Sequence, residues 1–314
     1  MAQQSTMLCY SGDIQDYFRY NEVDDFLGSG GFGRVYRATV TDKGQELLIA
    51  KGFKLREGDF VAVKKINECW RSDELYPEIQ NLSRLEVNES TIQYYGCFTS
   101  SECYIVMEYF HGLSLDKKIP YLSNDADKLK IVKKIAVGIN DLHKMGVIHR
   151  DIKLNNIMVN EDNTQIKILD YGLSCLIDYF DTTANCRRTD SGTDYYKDPT
   201  IARSSARERN EFIMTDKLLI SADWWAFGIL VYKLYTTKFL IDGEGPQIVL
   251  QLITIKNEQI EAALNDKFDD GDPVKELLNN VLAVKGTYSA PDDDVKEKWT
   301  GDEIVAYLSG PRLH

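Results

Sequence analysis

Residues 149–156 read His-Arg-Asp-Ile-Lys-Leu-Asn-Asn, which sets a carboxylate (Asp151), a lysine two positions on (Lys153) and an amide three further on (Asn156). These three groups at that spacing can face a single phosphoryl-transfer centre. A polar surface loop is the plainer alternative, so the rest of the chain must supply what such a centre needs: contacts for phosphate, oxygen ligands for a cation, and a scaffold.

Phosphate contacts are suggested by Leu27-Gly28-Ser29-Gly30-Gly31-Phe32-Gly33-Arg34-Val35-Tyr36. Glycines at 28, 30 and 33 let backbone amides approach phosphate oxygens that side chains would block. A plain turn can show the same pattern. A dinucleotide fold also uses this spacing, but places a helix directly after it. Here residues 34–40 alternate and are β-branched or aromatic, so a second strand follows, and the expectation is a glycine-rich hairpin over a nucleotide. The strand Phe60-Val61-Ala62-Val63-Lys64-Lys65-Ile66 then presents Lys64, a point charge suited to phosphate, with a solvent-facing edge lysine as the alternative. Residues 72–85 suggest a helix with Ile79, Leu82 and Leu85 on one side, and Glu78 on it is placed to reach Lys64, with Glu74 as rival partner.

The remaining elements are read as follows. Residues 1–20 form a short extension, and residues 41–59, with Gly44, Gly52, Gly58 and the apolar run 47–50, form an inserted hairpin. Strands are expected at 91–98 and 103–107, and residues 107–112 form a connector between lobes. Leu129, Val132, Ile135, Ala136, Ile139 and Leu142 recur at helical spacing, giving a long buried helix that stops near Gly146. His143 is read as a helix-end residue. A strand pair at 157–159 and 165–169 delivers Asp170-Tyr171-Gly172, and the tail presents Val274, Leu277, Leu278, Val281 and Leu282 as one apolar helical face.

The chain has 314 residues, 43% hydrophobic and 27% charged, with a net charge of -12 from 37 basic and 49 acidic residues. That balance argues against a general nucleic-acid binder, which should show a basic face. The start carries no signal-peptide pattern, and no uninterrupted apolar stretch approaches the length of a membrane span. Six cysteines are scattered without a Cys-x-x-Cys pair, which suggests free thiols, no structural zinc and a reducing, cytoplasmic setting, either the chain's own cell or a host cell.

In order, the glycine-rich loop, the strand lysine, the helix glutamate, His149-Arg150-Asp151 with Lys153 and Asn156, and Asp170-Tyr171-Gly172 resemble the protein kinase family, serine/threonine branch. The resemblance extends to Gly192-Thr193 and Asp198-Pro199 and to Asp223-Trp224-Trp225-Ala226-Phe227-Gly228. It implies an α+β, bilobal fold: an N-terminal extension at 1–19, a β-rich ATP-binding lobe at 20–109 and a mostly helical lobe at 110–314. It further implies that Asp151 orients or accepts the proton of a protein Ser/Thr hydroxyl, that Lys153 neutralises the transferring phosphoryl group, and that Lys64, held by Glu78, contacts the α and β phosphates of ATP. Asn156 and Asp170 would hold Mg2+. Leu27, Gly28, Ser29, Gly30, Gly31, Phe32 and Gly33 would cover the nucleotide, with adenine between Val35 and Ala62 above and Met158 below, hydrogen-bonded by the backbone of Glu108 and Phe110. Met107 would sit at the back of that pocket. Thr189 matches a regulatory phosphosite, filled by an upstream kinase or by autophosphorylation, with Arg150 as the partner of the phosphate.

Two departures stand out. The family's Ala-Pro-Glu ends here as Asp198-Pro199-Thr200, and no arginine occurs between Arg209 and Arg312 to serve as the glutamate's usual partner. Losing one member of a buried pair costs roughly 3–5 kcal/mol, whereas replacing both can be nearly neutral, so a compensated change is expected. Tyr171 replaces the usual phenylalanine and brings a hydroxyl that needs a partner. These departures motivate one competing reading, a pseudokinase scaffold, and a small-molecule kinase of related fold is a second. Residues 201–222 look longer than usual for this connection, and their charged stretch 203–209 reads as a solvated insertion, with engagement of a substrate or regulator as the alternative.

Overall fold

The structure, a computed structural model, describes residues 9–31, 33–67, 72–85, 88–177, 191–207, 214–284 and 298–311, and not the side chains of 72–77 and 207. The chain forms two units, Met1–His111 and Gly112–His314.

Unit 1 contains, in order, β1 (Cys9–Tyr10), α1 (Ile14–Tyr17), β2 (Phe18–Arg19), β3 (Phe26–Gly30), β4 (Gly33–Val40), α2 (Asp42–Ala50), β5 (Phe60–Ile66), α3 (Ser72–Arg84), β6 (Tyr94–Thr99) and β7 (Cys103–Glu108). The sheet runs β1-β6-β7-β5-β4-β2, with β3 also paired to β4. Alternation along β4 and β5 turns Ala38, Val40, Val61 and Val63 inward, where they meet Ile14, Phe18, Leu48 and Phe98. The described part of the expected N-terminal extension is therefore built into the sheet. Asp13 caps α1 by accepting the Gln15 N–H at 3.0 Å, and Ile14 and Phe18 are buried in the core.

The expected hairpin at 41–59 is instead the helix α2. Thr41 caps it, accepting the Gly44 N–H at 3.1 Å, and a Cβ on Gly44 would lie 2.2 Å from the Tyr17 carbonyl oxygen. The apolar run 47–50 is its last turn, burying Leu48 and exposing Ile49, and four residues are too few to separate helical from strand periodicity.

The expectation of free thiols is also corrected. Cys9 and Cys97 face each other in the parallel β1–β6 pair with Cα atoms 4.5 Å apart and form a disulfide. Cys103 and Cys175 each take part in a disulfide too, and none of the described cysteines is free; Cys69 and Cys186 lie outside the described residues. The argument for a reducing compartment rested on free thiols and falls with them. Because the Cys9–Cys97 bond spans 88 residues, reduction or the Cys9→Ser/Cys97→Ser pair should destabilise unit 1 by roughly 2–4 kcal/mol. Denaturant unfolding with and without reductant measures this, and coincident curves would refute it.

Unit 2 contains β8 (Leu113–Ser114), α4 (Leu115–Lys118), α5 (Asp125–Lys144), β9 (Val147–Ile148), β10 (Ile157–Val159), β11 (Ile166–Ile168), β12 (Cys175–Leu176), α6 (Pro199–Arg207), α7 (Asp216–Thr236), α8 (Pro246–Thr254), α9 (Asn257–Asn265), α10 (Pro273–Val281) and α11 (Gly301–Ser309). Asn124 caps α5, whose buried stripe includes Val132, Ile135, Ala136, Ile139 and Leu142, and Gly146 ends it at φ 78°. Two small sheets, β11-β10-β8 and β12-β9, bracket the loop carrying residues 149–156. The helix α7 is long and apolar enough to cross a membrane, although its sequence has no unbroken apolar run; 67% of that stretch is buried inside the protein, as in a core helix. Within the stretch expected to be a solvated insertion, Arg203 donates to the carbonyls of Ile253 (2.8 Å) and Ile255, closing the end of α8.

Candidate active site

In unit 1, β3 and β4 form the glycine-rich hairpin, with Gly30 opposite Gly33 and Val35 opposite Lys64 across β4–β5. The glycines serve two purposes. A Cβ on Gly33 would fall 2.3 Å from the Lys65 carbonyl oxygen, so packing requires glycine there. At Gly28, Gly30 and Gly31 a Cβ would meet nothing within 4 Å, which leaves the backbone of this edge open to a close-approaching anion. Leu27 and Ser29 flank it, half exposed and exposed respectively; Phe32 lies outside the described residues. Lys64, buried on β5, is 2.6 Å from Oε1 of Glu78, itself buried on α3 beside Ile79 and Leu82. This places a fixed ammonium at the end of a rigid strand. Ala62 pairs with Met107, and Glu108 closes β7 with its N–H on the Gln93 carbonyl at 2.8 Å; Phe110, half-buried, follows.

In unit 2, Asp151 is the centre of a compact network. Its Oδ2 accepts from Lys153 Nζ at 2.6 Å and from Asn156 Nδ2 at 3.1 Å, and its Oδ1 accepts from Thr193 Oγ1 at 2.8 Å. Lys153 Nζ also donates to Thr193 Oγ1 at 3.0 Å. The carboxylate is thereby fixed in orientation and charge-balanced although buried. Asn156 commits its NH2 to the carboxylate and to the Asp151 carbonyl at 2.9 Å, so its side-chain oxygen is the group it can offer a hard cation. Asp170 supplies a half-buried carboxylate at φ 66°. Magnesium is commonly held by one or two protein groups plus substrate phosphates, and these two oxygens suit it. Met158 sits on β10 between fully buried Ile157 and Val159 but on the opposite, partly open face.

The loop is held from below. Arg150 has φ 68°, a backbone costing on the order of 1–3 kcal/mol for a non-glycine residue. What secures it is Asp223 on α7, whose Oδ1 accepts the Arg150 N–H at 2.7 Å and whose Oδ2 accepts the His149 N–H at 2.8 Å. His143 Nε2 lies 2.9 Å from the same Oδ2, so this residue is a partner of Asp223 as well as a helix-end residue. Burial alone would push the Asp223 carboxyl up. The His143 hydrogen bond and charge, with the His149 contacts, more than offset it and hold the carboxyl below its usual range. This arrangement was readable in part: a lone acid inside the apolar stretch of α7 must have partners.

The two departures from the family pattern are both accommodated. The Tyr171 hydroxyl donates to the Ile168 carbonyl at 3.2 Å, and burial pushes that hydroxyl well above the usual phenol range, so it stays neutral. The Tyr171 ring packs 5.1 Å from that of His149, whose Nε2 donates to the Leu169 carbonyl at 2.9 Å. Asp198, in place of the missing glutamate's neighbourhood, is ion-paired with Lys298 at 3.2 Å. Thr189 lies outside the described residues; Arg150 donates to Ser191 Oγ at 3.0 Å and to the Leu173 carbonyl at 3.2 Å.

The chain is 26% identical over 291 residues to a probable serine/threonine-protein kinase PknB of Lactococcus lactis, covering 91% of this chain and 40% of that one. It is 29% identical over 300 residues to serine/threonine-protein kinase KIC1 of Saccharomyces cerevisiae, covering 93% of this chain and 24% of the relative. It thus spans less than half the length of these relatives. The fold is that of the crystal structure of Rad53 residues 1-466 in complex with AMP-PNP, with a TM-score of 0.63, 23% identity, and coverage of 93% of this chain and 64% of that one. The model of the protein kinase domain matches residues 21–288, and the chain belongs to the protein kinase family.

Proposed function

We propose that this chain transfers the γ-phosphate of ATP to serine or threonine hydroxyls of protein substrates. The observation that carries the reading is the network in which Lys153, Thr193 and Asn156 all converge on the Asp151 carboxylate. In it Asp151 accepts the proton of the incoming hydroxyl, and Lys153 balances charge on the transferring group. Lys64, steadied by Glu78, holds the α and β phosphates, and the open backbone at Gly28, Gly30 and Gly31 admits phosphate oxygens. Magnesium, when held by Asn156 and Asp170, neutralises charge on the phosphates. Val35, Ala62 and Met158 supply apolar surface for the adenine, and the Glu108 and Phe110 backbone its hydrogen bonds. Regulation by phosphate at Thr189, with Arg150 as its partner, belongs to the same proposal. The pseudokinase reading has no support, and the sequence carries Lys64, Asp151, Asn156 and Asp170.

The test is incubation with radiolabelled ATP, magnesium and generic protein substrates, followed by phosphoamino-acid analysis. Label on serine or threonine is expected. Tight nucleotide binding with no transfer to any substrate would overturn the reading.

A further inference from the structure

The segment that carries Thr193 to the active site needs an anchor at its far end, and the pair the family uses there is missing. We propose that Asp198 and Lys298 are positioning residues that fix this segment for protein substrate, an inference that rests on the transfer reading above. Lys298 lies beyond the stretch that matches the family, 21–288, so the anchor belongs to this chain's own C-terminal part.

Both partners are withdrawn from water: the Asp198 side chain is 1% exposed and that of Lys298 10%. Asp198 acts in two directions. Its Oδ1 accepts the Thr200 N–H at 2.7 Å, and its carbonyl accepts the Ala202 N–H at 3.1 Å, which starts α6. Its Oδ2 takes Lys298 Nζ at 3.2 Å. Lys298 in turn reaches Ser221 Oγ at 3.4 Å and lies over the Trp225 ring, 5.1 Å from its centroid, both on α7. One ammonium thus ties the start of α6 to α7, the helix that also carries Asp223 under the catalytic loop.

The connection to chemistry is short. Between Thr193 and Asp198 there is a single tight turn, Asp194–Tyr196, and Asp198 lines the same cavity as Arg150, Asp151 and Thr193. A shift of Asp198 would therefore move Thr193 off the Asp151 carboxylate and reshape the wall against which a protein substrate sits. Lys64 and the glycine-rich strand lie in unit 1, outside the turn that joins Asp198 to Thr193.

The experiment compares Lys298→Met, Lys298→Arg and Asp198→Asn with wild type in steady-state kinetics, varying protein substrate and ATP separately, alongside hydrogen exchange of residues 191–207. Lys298→Met should raise KM for protein substrate by about tenfold with KM for ATP unchanged, and Lys298→Arg should restore most of it. Asp198→Asn keeps the cap on Thr200 but loses the charge, and should resemble Lys298→Met. Combining Asp198→Asn with Lys298→Met should add little beyond either single change. Faster exchange in 191–207 with unchanged protein-substrate KM would leave a structural pair and overturn the positioning role. So would equal losses against both substrates with no rescue by arginine. If wild type transfers no phosphate at all, the transfer reading fails instead, and unaltered exchange in Lys298→Met would then dismiss the anchor separately.

Discussion

Asp151→Asn should lower phosphate transfer by about 10²–10⁴-fold while nucleotide binding persists. The substitution preserves volume but removes the carboxylate on which Lys153, Thr193 and Asn156 converge. An amide has one acceptor oxygen. With its NH2 turned toward Thr193, whose hydroxyl accepts as well as donates, its oxygen still meets Lys153 Nζ and Asn156 Nδ2, but the negative charge is gone. The site thus loses its proton acceptor and its internal charge balance together. Transfer by the purified variant, measured beside wild type with titration of a fluorescent nucleotide, decides the matter. An unchanged rate would refute the assignment of Asp151.

Asp223→Ala should cost roughly 3–5 kcal/mol of stability and also reduce transfer. The loss has three parts: the His149 and Arg150 N–H groups lose their acceptor, His143 loses its charged partner, and the strained turn at Arg150 loses what holds it. Since that turn leads directly into Asp151, the chemistry suffers with the fold. The pH dependence has a defined sign. The folded-state carboxyl lies below its unfolded value, so its stabilisation is complete above the ordinary carboxylate range of about 4 and is lost as pH falls through the folded value. The stability gap between wild type and Asp223→Ala should therefore be constant near neutrality and shrink below about pH 4. A gap that widened under acid would contradict the account.

Some of this was legible in the sequence because chemistry restricts residue type. Lys64 interrupts an apolar strand, Glu78 shares a helix with Ile79 and Leu82, and α5 repeats its apolar residues over about four turns. Other parts depend on proximity that no local pattern encodes. Cys9 and Cys97 are 88 residues apart and meet only because β1 joins the sheet beside β6. The four-residue apolar run in α2 is too short to declare a period, and the cap that Thr41 supplies is a single-residue signal. Lys298 sits in no motif at all; the missing arginine signalled that a substitute was needed, but not where it would come from. The value of Asp223 was visible as an acid among apolar neighbours, although its three partners were not.

A sheet edge is a row of unpaired backbone groups and a standing invitation to another chain. In unit 1 the last strand in the order, β1, is only two residues long, and its place beside β6 is fixed by a covalent bond as well as by backbone hydrogen bonds. Its register cannot slip while that bond exists. Which strand forms this border is thus partly a matter of the electron balance of the surroundings, since the bond that holds β1 on β6 persists in an oxidising medium and is broken in a thiol-rich one.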